Sequence, residues 1–518
     1  MRRERKTKPI IKRNGIKDNK AITLVALVVT IIVLIILATV SISLLLGDHG
    51  LLKMAREARD NYAVAANEEM AGFIDIEDTM ENLIKYSDEE DKTENSPAVP
   101  TGKMKVEYVT WAESNETAGM YLETATETKP DGWYNYQEGK WANIKTTSFN
   151  ANENSTKNIA YWVWIPRYAY QVPVRPTSSN NSENPEFNIA FLKGNTYEAI
   201  NEEDLKGGTI KTKAETSSGV SIGDWVVHPA FQYGNEELTG IWVAKFEASN
   251  ELQASTSGQA DSTELCVNVV PNASSWRYIK VPNMFTVCQN MTGEKGALEN
   301  NTTADPHMMK NVEWGAVAYL THSKYGRMRD GVSGKVWKNP NKNYITGQAG
   351  SGTSANANMS YQDSTDNYNV GNGPNASTTG NVYGIYDISG GTSEVVAAFV
   401  ETTSTSQLGN LANMPSNPAQ SKYVELYERD SGNSQLKSYD LIFKNNKITH
   451  WGDAMYETSY SGQQSTSWQS AYSYMPYSSS PLFIRGIDQG NTYAGVFAFY
   501  QSGGSAGNTG FRPVFIAK

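Results

Sequence analysis

Cysteine is nearly missing from this chain: Cys266 and Cys288 are the only two in 518 residues. Without a C-x-x-C pair or a Cys/His cluster there is no ligand set for a structural zinc ion. Histidine is almost as scarce. His49, His228, His307, His322 and His450 show no metal-ligand spacing. No paired-carboxylate motif is present, so the residue types of acid–base chemistry occur without that arrangement. Charged residues make up only 19%. Beyond Lys105 long apolar-periodic helices are lacking, and no simple tandem repeat is visible. What is abundant is Gly, Ser, Thr, Asn and 29 Tyr, a mixture that suits strands and loops and not a helical bundle. The length allows about two to four domains.

The sparse charge is unevenly placed. Residues 1–20 carry nine Lys or Arg against two acids, which is +7, so a net charge of −10 leaves −17 for the rest. A surface of that sign repels phosphate backbones, and no nucleic-acid partner is expected. Between Lys20 and Asp48 there is no charged side chain. As a helix, residues 21–46 would span roughly 39 Å, enough to cross a ~30 Å hydrocarbon core. The basic flank places the N-terminus in the cytoplasm and the remainder outside, with the lipid bilayer as partner of 21–46. A cleaved secretory signal is the alternative. The run exceeds the roughly 7–15 apolar residues of such signals, and no A-x-A-like site follows.

After the apolar run, "GDHG" interrupts and Asp48 can cap a new helix. Leu51, Ala55, Ala58, Tyr62 and Ala65, then Phe73, Ile76, Met80 and Leu83, follow helical spacing. Residues 47–86 therefore read as an amphipathic stalk, its stripe either a coiled-coil seam or a cover for the next domain. Residues 87–104 are acidic, contain proline and read as a linker. Residues 105–160 read as a small β-rich segment and 161–518 as the main domain. In "YNYQEGKW" Glu138 and Gly139 read as a hairpin turn. "NVEWGAVAYLTHSKYG" reads as a helix that Gly326 can end, packed on a sheet.

The stretch "AITLVALVVTII" resembles the start of type IV prepilins. Ala21 stands at the small residue before the cleavage point, and Ile22, Thr23 and Leu24 match the mature helix. The resemblance implies processing between Ala21 and Ile22. Ala26 replaces the glutamate that registers pilin subunits, so pilin-like self-association loses one of its devices.

Four later stretches resemble the formylglycine-generating-enzyme family, in order: "GIWVAKFEASNE", "NVEWGAVAYLTHSKYG" with Trp314, "NVYGIYDISGGTSEVVAAF", and "IRGIDQGNTYAGVFAFYQSGGSAGNTGFRPVF". The match covers about Tyr161 to Lys518. It implies an α+β fold: one N-terminal transmembrane helix, then a loop-rich C-type-lectin-like domain. The family's enzymes use cysteines near the terminal block. Here none follows Cys288, so no catalysis is expected and no catalytic residue is assigned. Cys266 and Cys288 either form a disulfide or stay single. The family's "GNVWE" supplies oxygen ligands to calcium. Here Gly391 replaces the Asn and Glu394 remains, which weakens the site, so no cofactor is expected and calcium stays open. Asp387 is either such a ligand or a turn cap.

The terminal block also resembles the variable proteins of diversity-generating retroelements, which vary positions before "GFR". Its mixture of aromatic and small polar residues resembles antibody binding surfaces. Asp488, Gln489, Asn491, Tyr493, Phe499, Tyr500 and Gln501 are the expected ligand surface. Trp314, Asp387, Glu394, Arg485, Gly510, Phe511 and Arg512 are the expected framework. The expected function is display of a domain that binds an external protein or glycan. The alternatives are a minor pilin and a sulfatase-modifying-type oxidoreductase.

Overall fold

The computed structural model describes residues 28–33 and 96–518, the latter interrupted at 149–157, 178–184, 252–259, 330–333, 338–367, 429–449 and shorter gaps. The cytoplasmic leader, the stalk, the proposed cleavage point at Ala21 and Ile22, and Gln489 and Asn491 lie outside the described residues.

Short runs of aromatic and β-branched residues pair into sheets because they fit a pleated, buried surface. The largest sheet is antiparallel throughout. Its order is Ala304–Met308, Pro513–Ala517, Gly240–Ala244, Ile159–Pro166, Asn143–Thr147, Lys105–Glu113, Tyr121–Thr126. The boundary read at residue 160 thus falls inside one sheet. Part of the expected linker packs against that sheet: Met104 is buried, and Trp242 Nε1 donates to the Ala98 carbonyl at 2.6 Å. A second sheet joins Ser393–Val400 to Glu425–Tyr427 and Thr509–Phe511 in parallel, and to Leu482–Gly486 antiparallel. Gly495–Ser502 extends it. A third contains Ile189–Phe191, Tyr168–Gln171, Trp225–Val227 and Ile210–Lys211.

The sheets share one core. Trp162 meets Phe515 edge-on at 4.7 Å, and Trp164 lies 5.1 Å from Trp242. Trp162 donates its buried N–H to Thr146 Oγ1 at 3.0 Å, which removes the cost of burying a polar atom.

The expected α+β class needs correction. The fold is β-rich, and its two longest described helices are Val281–Gln289 and Asn311–Thr321. Among the described residues no helix is long and apolar enough to cross a membrane. Of the run 21–46 only residues 28–33 are described; they are helical and exposed. The physical reason for the β-rich class lies in residues 105–518, where apolar runs are too short and too rich in Trp, Tyr and Val to sustain helices, and their backbone groups pair between strands.

The helix expected in "NVEWGAVAYLTHSKYG" spans Asn311–Thr321 and ends before Gly326, with His322 as its C-cap. Every residue of it is buried, so it is a core rod and not an amphipathic one. Two carboxylates meet its N-terminus: Glu313 accepts from the Lys310 N–H at 2.8 Å, and Glu425 from the Asn311 N–H at 2.7 Å. Gly315 lets the chain at Gly452 pass close by. A Cβ at 315 would stand 1.8 Å from the Gly452 oxygen. The turn at "YQEG" is a 3-10 turn over Tyr136–Glu138, closed by Gly139 at φ 66°.

Candidate ligand-binding face

The terminal block forms a hairpin of Leu482–Gly486 and Gly495–Ser502, with an irregular register between Arg485 and Gly486. A second segment lies alongside it. Ser473 bridges Phe499 in parallel, the Phe499 N–H donates to the Tyr472 carbonyl at 3.0 Å, and the Tyr474 N–H to the Phe499 carbonyl at 2.9 Å. In extended backbone alternate side chains face opposite ways. Ser473 is therefore buried while Tyr472 and Tyr474 are half-exposed.

Tyr472 lies 5.0 Å from Tyr493 and 5.4 Å from Tyr500, and Tyr474 lies 5.4 Å from Tyr500. Tyr493 is 42% exposed. The structure thus gathers Tyr493 and Tyr500 and adds Tyr472 and Tyr474, which the sequence reading missed. The alternation in "AYSYMPY" was the available signal.

Three expected contacts do not belong to this face. Gln501 follows Tyr500 on the strand, so its side chain points the other way, and its Oε1 is buried. Phe499 is fully buried, because the 472–474 segment covers a strand that would otherwise be an edge. Asp488 is 8% exposed and accepts from Asn508 Nδ2 at 2.9 Å, so it ties two loops together.

Under the face lies a framework of buried ions. Arg512 grips Glu394 with two donors, Nε to Oε2 at 2.9 Å and Nη2 to Oε1 at 2.5 Å. It also donates to the Ala244 carbonyl at 2.8 Å and the Tyr386 carbonyl at 2.9 Å, joining three segments. Glu247, which the sequence reading passed over, sits beside them. It accepts from Ser275 Oγ, and from the Thr392 N–H at 2.6 Å. Burial, then the Asp387 and Glu394 carboxylates, push Glu247 up to about 8. Asp387 is buried at φ 60°. Arg485 makes no carboxylate bond. Its donors meet Asn311 Oδ1 at 3.0 Å and the carbonyls of Ala498, Asp453 and Ala454. Trp314 donates to the Val496 carbonyl at 2.7 Å, and Gly510 and Phe511 are buried on the strand that pairs with Glu394.

These contacts bear on calcium. Glu394 gives both oxygens to Arg512, and a Cβ at Gly391 would stand 2.4 Å from Glu247 Oε1, where the family's motif has Asn. The residues present do not fit a calcium shell. Among the described residues no group of three or more His, Cys, Asp or Glu is placed to hold a metal ion. Cys266 and Cys288 are free, which corrects the disulfide alternative. Cys288 is enclosed in the helix Val281–Gln289, and Cys266 is half-buried next to Glu251. Burial, then Glu251, push the Cys266 thiol up to about 11, and burial raises that of Cys288. Neither favours a thiolate.

No protein-family model matches the chain, and a search of curated proteins finds no match.

Proposed function

We propose that the chain is a surface-display binding protein, tethered to a membrane through the apolar run of residues 21–46 and presenting its tyrosine face to an external protein or glycan. The observation that carries this reading is the cluster of Tyr472, Tyr474, Tyr493 and Tyr500 on a framework of buried arginines. Tyrosine offers large contact area with few rotatable bonds, and a hydroxyl that bonds either partner class. The resemblance of the terminal block to the retroelement-diversified proteins supports the same reading. Binding is favoured over catalysis because both thiols resist ionisation.

The test displays the full chain to arrays of glycans and extracellular proteins. The expected result is a bound partner whose affinity falls by about 2 kcal/mol in Tyr500→Ala while the melting temperature holds. Unchanged affinity in both Tyr500→Ala and Tyr493→Ala would move the site elsewhere. External protease on intact cells is expected to remove the region after Lys105 and spare residues 1–20. Protection of the distal region until lysis would overturn the tethering.

A further inference from the structure

A cleft of about 500 Å³ opens between the edge strand Ile210–Lys211, the 3-10 turn Pro229–Phe231, the start of the helix Asn311–Thr321 and the segments around 422 and 451. It shares no residue with the tyrosine face. Its size falls in the range of small-molecule sites.

The lining is unusual for a chain of net charge −10: four lysines, Lys211, Lys213, Lys310 and Lys422, reach it. Three of them are largely balanced. Lys211 pairs with Asp224 at 2.6 Å, Lys422 with Asp305 at 2.6 Å, and Lys310 with Glu313 at 3.4 Å. Of the lining carboxylates, Glu237 pairs with Arg167 at 2.7 Å, and Glu425 accepts the backbone N–H groups of Asn311 and Val312. Lys213 is exposed, donates to the neutral Gln232 Oε1 at 2.9 Å and has no carboxylate partner among the described residues. Burial raises Glu425 to about 7, so below that pH the uncompensated charge of the lining is close to one, which fits a monoanion better than a polyphosphate.

Trp451 reaches the lining with its ring, while its Nε1 is buried and has no hydrogen-bond partner among the described residues. His228 is fully buried and its Nδ1 accepts from the Ala230 N–H at 3.2 Å, which puts the proton on Nε2. That Nε2 faces the Gly452 carbonyl, which favours its protonation, and with the ring fully buried it is not open to a ligand. Half-exposed Trp451 and Tyr197 supply ring surface, and Thr216, Ser217 and Ser421 supply hydroxyls. One exposed cation, hydroxyls and aromatic faces are together complementary to a single carboxylate on a hydroxyl-rich ring.

We propose that this cleft binds a uronic-acid unit of an acidic saccharide, with Lys213 meeting the carboxylate and Trp451 the sugar. The test is calorimetry on the full chain in detergent micelles, with digalacturonic acid as probe and its methyl ester as the neutral control. The expected result is binding of the acid, at least about tenfold weaker for the ester and for Lys213→Gln. Trp451→Ala, which removes the ring, is expected to weaken binding severalfold while circular dichroism shows the fold retained. Tyr500→Ala is expected to leave it unchanged, which separates this site from the tyrosine face. No binding of the acid, equal binding of acid and ester, full affinity in Lys213→Gln, or displacement by equimolar inorganic phosphate would overturn the proposal. So would loss of binding in Tyr500→Ala.

Discussion

Arg512 and Arg485 are both completely buried, yet the protein keeps their charge in two different ways. Around Arg512 an ion answers an ion: Glu394 holds two of its donors, Glu247 and Asp387 stand near, and its pKa is raised despite burial. Around Arg485 the bonds go to carbonyl and amide dipoles, and burial lowers its pKa to about 10. A carboxylate pair is held by mutual need, since either partner alone is a buried bare charge. A ring of carbonyls keeps its dipoles whether the cation is present or not. The first kind of site locks segments together. The second shapes the loops that pass over it.

Arg512→Met tests that difference most sharply. It leaves the buried Glu394 carboxylate without the cation that holds both its oxygens, and a loss of about 3–5 kcal/mol is expected from denaturant midpoints. The double variant with Glu394→Leu is expected to recover much of that loss, a coupling that a cycle measures. Arg485→Met is expected to cost less, about 1–3 kcal/mol, because its hydrogen-bond partners are neutral and the nearby Asp453 carboxyl, raised by burial to about 6, can take up a proton. Equal losses for the two single variants would erase the distinction.

Acidity separates the sites next. The folded-state pKa of Glu247 lies above its ordinary value, so its contribution is present at low pH and is lost as pH rises toward about 8. The buried rings of His228, His322 and His450 work in the other direction. Burial holds them down to about 3, 3 and 4, so their contribution is present above the ordinary histidine value of 6.5 and fades as pH falls below it. Glu247→Gln is expected to remove part of the fall in melting temperature between about pH 4.5 and 8. A variant with an unchanged profile across that window would show that Glu247 does not titrate there.

The smallest stability effect belongs to the face above these sites. Tyr472→Ala and Tyr474→Ala, on half-exposed side chains, are expected to shift stability by about 1 kcal/mol or less. A larger shift, read from denaturant midpoints, would make these tyrosines part of the framework.

Local order carried much of the framework into view. "IRG" and "GFR" marked the arginines, and the apolar block after Asn311 marked the buried helix. Gly139 marked its turn because left-handed backbone favours glycine. What stayed hidden depends on distant pairing. Phe499 alternates like a surface residue, and only the chain at Ser473, placed beside it in the fold, covers it. Strands from 105–147 looked separate from the rest because nothing within them records that Ile159–Pro166 and Gly240–Ala244 complete their sheet. Glu247 was passed over since its meaning comes from Asp387 and Glu394, more than a hundred positions away. The cleft lysines arrive from three separate stretches and form no motif.

The strand Pro513–Ala517 lies between Gly240–Ala244 and Ala304–Met308. During synthesis those two earlier strands leave the ribosome long before the one that joins them. At about 5–20 residues per second the sheet waits on the order of ten seconds or more with unpaired edges. Arg512 arrives with the same stretch, so the interior carboxylates acquire their cation only then. Folding of this region is therefore timed by the stretch from residue 512 onward, and a ribosome stalled before it holds a chain whose ions and edges are both unsatisfied.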